Sequence, residues 1–63
     1  MTTIKDIEFI FEEKKIRNSN WYYTLLSNGN FAVFTNGKLC RIFKDGNEAR
    51  IFFITKTTDT INN

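Results

Sequence analysis

Every glycine in this 63-residue chain follows Asn or Asp: Asn28-Gly29, Asn36-Gly37 and Asp45-Gly46. Asn-Gly and Asp-Gly accept positive φ at both central positions of a type I′ turn, whose twist matches that of antiparallel strands. The residues between the turns, "NWYYTLLS", "NFAVFT" and "KLCRIFK", are rich in aromatic and β-branched types that favour a pleated, half-buried surface. The spacing predicts three meandering strands, too closely reversed for any longer element to intervene.

Two-residue loops would set the register. Leu26 would then face Phe31, Thr24 face Val33 and Tyr22 face Thr35, while across the second hairpin Phe31 would face Ile42 and Val33 face Cys40. One surface collects these residues. The other is expected to carry Trp21, Tyr23, Leu25, Ala32, Phe34, Leu39, Arg41 and Phe43. Both surfaces are apolar, and a sheet this small cannot leave both wet.

The third turn reads differently. A two-residue hairpin at Asp45-Gly46 would set Arg41 against Arg50, a destabilising like-charge pair. Asp45 with Glu48 three residues on instead resembles a helix start, and "NEARIFFITK" puts Ala49, Phe52, Phe53 and Lys56 on one side at helical spacing. Near the N-terminus, Ile7, Phe9 and Phe11 alternate with Glu8, Ile10 and Glu12 as in a strand, although Ile4, Ile7 and Phe11 also fit a helix that Thr3 to Asp6 would cap. A turn at "RNSN" would set Ile16 against Trp21 and Phe11 against Leu26. Ile7, Phe9 and Phe11 then join the inner surface, and Glu8, Glu12 and Lys14 join the outer.

The expected fold class is therefore α+β, a small four-stranded antiparallel meander with a C-terminal helix on the inner face; the alternative is a five-stranded all-β small barrel. One compact domain is expected over residues 1–56, followed by a polar flexible tail over 57–63.

Composition limits the chemistry. A chain of this length buries only about 60% of the surface it exposes when unfolded, so its stability margin is thin. The lone Cys40 cannot close an internal disulfide and, without His, no zinc site can be built from the usual ligands. Oligomerisation is the remaining common support, so a homodimer is an expectation in its own right. The missing His removes the usual general base and every Ser-His or Cys-His arrangement. The glycines form no phosphate-binding pattern, and Asp45-Gly46-Asn47-Glu48 is too short for a calcium loop. Glu12 and Glu13, as strand neighbours, point to opposite faces. No enzyme, cofactor or metal is expected. The start "MTTIKDIEFIF" lacks the pattern of a signal peptide or membrane anchor, and with the single thiol this points to a soluble, cytoplasmic protein.

Binding is the function left. Trp21, Tyr23, Phe34, Leu39, Arg41 and Phe43 combine rigid aromatic anchors with a bidentate donor, as interface hot spots do. They are the expected protein-binding residues. The bias to Ile, Lys, Asn, Phe and Thr, with Ala only at 32 and 49, is that of an AT-rich genome and points to a phage-type accessory or inhibitor acting on a host protein. The alternative is a nucleic-acid-binding module on the same face, with Lys14, Lys15, Arg17, Lys38 and Lys44 meeting phosphate. The net charge of +2 gives that alternative little weight.

Overall fold

The computed structural model describes residues 1–62. A short 3-10 turn, Ile4–Asp6, leads into β1 (Ile7–Ile16), followed by β2 (Ser19–Leu26), β3 (Phe31–Thr35), β4 (Lys38–Phe43) and α1 (Gly46–Asn62). The four strands form one antiparallel sheet in the order β1-β2-β3-β4, so β1 and β4 are the edges. The expected α+β architecture is present, within a single compact domain.

Both N-terminal readings survive in part. Thr3 accepts from the Lys5 amide and completes a reciprocal cap with Asp6, but the helix it opens is a single 3-10 turn. The alternating apolar residues from Ile7 onward then pair as a strand.

The two Asn-Gly turns are not equivalent, and this corrects the register. At Asn36-Gly37 both central residues have positive φ, 52° and 79°, and Thr35 pairs with Lys38 across the expected two-residue loop. At Asn28-Gly29 only Gly29 is left-handed, at 91°. The Gly29 amide donates to Leu26 O at 3.0 Å and the Leu26 amide to Asn30 O at 2.8 Å, which closes a three-residue loop of the glycine-bulge kind. Asn28 Oδ1 accepts from the Asn30 amide at 3.0 Å and holds the loop in that form.

The extra loop residue moves every partner by one. Leu25 pairs with Phe31, Thr24 with Ala32, Tyr23 with Val33 and Trp21 with Thr35, in place of the pairs expected from a two-residue loop. A β-bulge at Cys40 shifts the second hairpin as well: Phe34 pairs with Leu39 as the turn dictates, but Val33 meets Arg41 and Phe31 meets Phe43. On β1, a two-residue turn with Arg17 at φ 56° pairs Ile16 with Ser19 and Lys14 with Trp21. Two further irregularities follow, around Glu8 and Phe11.

The faces therefore sort differently from the sequence expectation. Trp21, Tyr23 and Leu25 share a face with Phe31, Val33, Arg41 and Phe43, and Phe9 and Phe11 join them, not Leu26. The helix packs on this face, the expected outer one. Phe11 lies 4.9 Å from the Tyr23 ring and Tyr23 6.0 Å from the Phe53 ring, a row of aromatics running from edge strand to helix. Ala32, Phe34 and Leu39 leave their expected company for the opposite face, with Tyr22, Thr24 and Leu26.

Helix α1 starts as read. Asp45 Oδ1 accepts from the Asn47 amide at 2.8 Å and Asp45 O from the Ala49 amide at 3.2 Å. Ala49, Phe53 and Thr57 form its buried stripe, while Phe52 is half-buried and Lys56 exposed. The helix continues past Lys56, where the tail was expected to begin. Thr57 is 1% exposed, and its hydroxyl donates to Phe53 O at 2.9 Å and Ile54 O at 3.1 Å. Asn63 lies outside the described residues. Gly46 serves close approach rather than a turn: a Cβ there would stand 3.1 Å from the Phe31 ring, and its carbonyl accepts from the Tyr23 hydroxyl at 2.9 Å. The first turn of the helix is thereby seated on the sheet.

A candidate binding cleft between the edge strand and the helix

The six residues expected to bind a partner are not brought together. Phe34 is fully buried on the face away from the helix, paired with Leu39, which is 36% exposed there. Tyr23 is held under the helix by its bond to Gly46 and its contact with Phe53. Trp21 is half-buried on the same face, and among the described residues its indole Nε1 is buried without a hydrogen-bond partner. Such a donor forfeits its hydration with nothing in return.

Arg41 and Phe43 are the two that stay together. Two residues apart and past the bulge, they share a face, and the Arg41 guanidinium lies 5.6 Å from the Phe43 ring centroid. Phe43 meets Phe52 of the helix at 5.3 Å, and Lys56 caps the Phe52 ring at 5.5 Å. Between β4 and α1 these residues open a cleft of about 680 Å³. Arg41, Ile42, Phe43 and Lys44 form its strand wall, and Glu48, Ile51, Phe52 and Thr55 its helix wall. The helix residues recur at helical spacing on the side turned from the buried stripe. Ile51, at 61% exposed, is the most open large apolar side chain on the helix among the described residues.

Sequence reading missed the helix wall because Ile51 and Ile54, apolar but off the expected helical stripe, fitted a fifth strand as well as a helix. What identifies it is its offset from Ala49, Phe53 and Thr57 once the buried stripe is known.

The expected phosphate-contacting residues are dispersed. Lys14 is 3.7 Å from Glu12 and lies over the Phe53 ring at 5.4 Å. Lys15, Arg17 and Lys38 are exposed near the end of the sheet that carries the β1–β2 and β3–β4 turns, whereas Lys44 sits at the opposite end, beside the helix start. Two acids, Glu12 and Glu13, directly precede the β1 group. No single cationic track results.

Cys40, at the bulge, is exposed. Its thiol pKa is raised, first by partial burial and then, in the opposite sense, lowered by the nearby Lys56 ammonium. A second depression of about 590 Å³ lies on the open face, lined among others by Ile4, Ile7, Ile10 and Tyr22. Among the described residues no group of His, Cys, Asp and Glu could hold a metal ion, and no helix is long and apolar enough to cross a membrane.

These features define a small α+β meander with an open cleft where edge strand and helix meet. Comparison with family models, curated proteins and solved structures yields no match to this chain.

Proposed function

We propose that this chain is a small, non-catalytic protein-binding factor, and that it grips its partner through the cleft between β4 and α1. The observation that carries the reading is the convergence of Arg41 and Phe43 with Ile51 and Phe52 around one open cleft at a sheet edge. Aromatic and Arg anchors beside accessible aliphatic surface are the residue types that dominate interface energetics. A phage-type accessory or inhibitor of a host protein fits the chain's brevity and its AT-type composition, and cytoplasmic action fits a lone, unbridged cysteine. Nucleic acid is the weaker reading, because the expected phosphate-contacting residues Lys14, Lys15, Arg17, Lys38 and Lys44 are split between the two ends of the sheet.

A photo-crosslinking amino acid placed at position 51, and separately at position 10 on the open face, tests the site. Adducts with a cellular protein from position 51 alone support the cleft. Adducts from position 10 alone, or from neither, overturn it.

A further inference from the structure

We infer that the partner enters this cleft as an extended, acidic segment that adds a fifth strand to the sheet along β4. The inference rests on the cleft being the docking site and specifies what fills it.

Three observations converge. First, β4 is an edge, so alternate amides and carbonyls of Arg41–Phe43 face outward with no strand beside them. The bulge interrupts the ladder at Cys40, but the stretch beyond it is regular, and that stretch forms the strand wall of the cleft. Second, the helix stands beside the edge as a side wall. A strand laid along β4 would direct alternate side chains toward Phe43, Phe52 and the exposed Ile51, and the other side chains away from the helix.

Third, the charge on the strand edge is one-sided. From Lys38 to Lys44 it carries Lys38, Arg41 and Lys44 with no acidic residue, all three exposed, while Glu48, the acid in the cleft lining, stands on the helix wall and not on the edge that the incoming strand would pair with. The other edge, β1, carries Glu8, Glu12 and Glu13 against Lys14 and Lys15. A basic incoming strand would be repelled at β4, as would a second copy of β4 itself, since like charges directly opposite destabilise a strand pair. The chemistry selected is therefore a segment alternating apolar residues with Asp or Glu.

A short fluorescent peptide of alternating glutamate and valine serves as the probe, with two controls: the same peptide N-methylated at alternate residues, and a lysine-for-glutamate version. Fluorescence anisotropy with the full chain should show saturable binding of the first peptide and loss of at least about tenfold in affinity for each control. The R41E/K44E double variant should lose a similar factor and gain affinity for the lysine peptide, with circular dichroism confirming that it stays folded. Equal binding of the N-methylated peptide removes the added strand. Equal binding of the lysine peptide removes the acidic selectivity. Displacement of the glutamate peptide by a single-stranded oligonucleotide, or by self-association of the chain on sedimentation, also overturns the inference. Crosslinks from position 51 without any binding of the glutamate peptide would keep the cleft and reject the acidic strand. Absence of those crosslinks would remove the cleft itself.

Discussion

The two faces of the sheet reach burial by different routes. On one, α1 supplies the cover: Val33 beneath and Ala49, Phe53 and Thr57 above are all within 1% of full burial. Rings surround them in offset and tilted contacts of 4.9 to 6.1 Å. The other face is turned away from α1, yet Thr24, Ala32 and Phe34 are fully buried there and Leu26 is 2% exposed. There Ile7 and Tyr22 pack against Leu26, Ala32 and Phe34. The N-terminal segment borders the same face: Asp6 O accepts from the Ser27 amide at 2.8 Å, and Met1–Thr3 line a pocket with Gly37, Lys38 and Leu39. A sheet of four short strands can thus carry a second small core if its own edge and the chain end fold over it. The cost is an aliphatic rim at Ile4, Ile10, Leu39 and Ile42, each 36% exposed or more.

The largest test sets the two cores against each other. Phe53→Ala and Phe34→Ala each empty a fully buried site and should each cost about 3–5 kcal/mol, read as a lower midpoint in urea denaturation. A cost below about 1 kcal/mol for Phe34→Ala alone would demote the open face to surface decoration. Next, Tyr23→Phe removes the hydroxyl bond to Gly46 O and should cost about 1 kcal/mol, with faster amide exchange in the first turn of α1 and unchanged exchange at Leu26.

Smaller still is Ile51→Ser. On the exposed lip of the cleft it should leave stability within about 0.5 kcal/mol while abolishing crosslinks from neighbouring cleft positions. The smallest effect concerns Cys40. A raised thiol pKa leaves less thiolate near neutral pH, so alkylation should be slower than for an unfolded thiol, and Lys56→Ala should slow it further. The folded state favours the protonated thiol, so this contribution to stability is present below the ordinary thiol pKa and is lost as pH rises through that value and the folded one.

Much of the fold was legible. The two Asn-Gly pairs marked the β2–β3 and β3–β4 reversals, and the Arg41–Arg50 conflict argued against a fifth strand where the helix begins. The Asp45 cap is present as read. Which residues share a face was less legible, and this misplaced the binding set. Both Asn-Gly pairs look alike in sequence, but Asn28 turns through three residues and Asn36 through two. With a side-chain period of two, that single residue moved Phe34 and Ala32 across the sheet. Arg41 and Phe43 stayed together because a spacing of two keeps a face whatever the register.

What the sequence determined by itself was the order of elements, because turn dihedrals and helix caps are set by a few adjacent residues. Loop length, the bulge at Cys40 and the side on which α1 lands were decided by tertiary structure alone. A one-residue slip leaves each local preference nearly unchanged but exchanges every buried side chain for an exposed one, so only the packed whole distinguishes the alternatives.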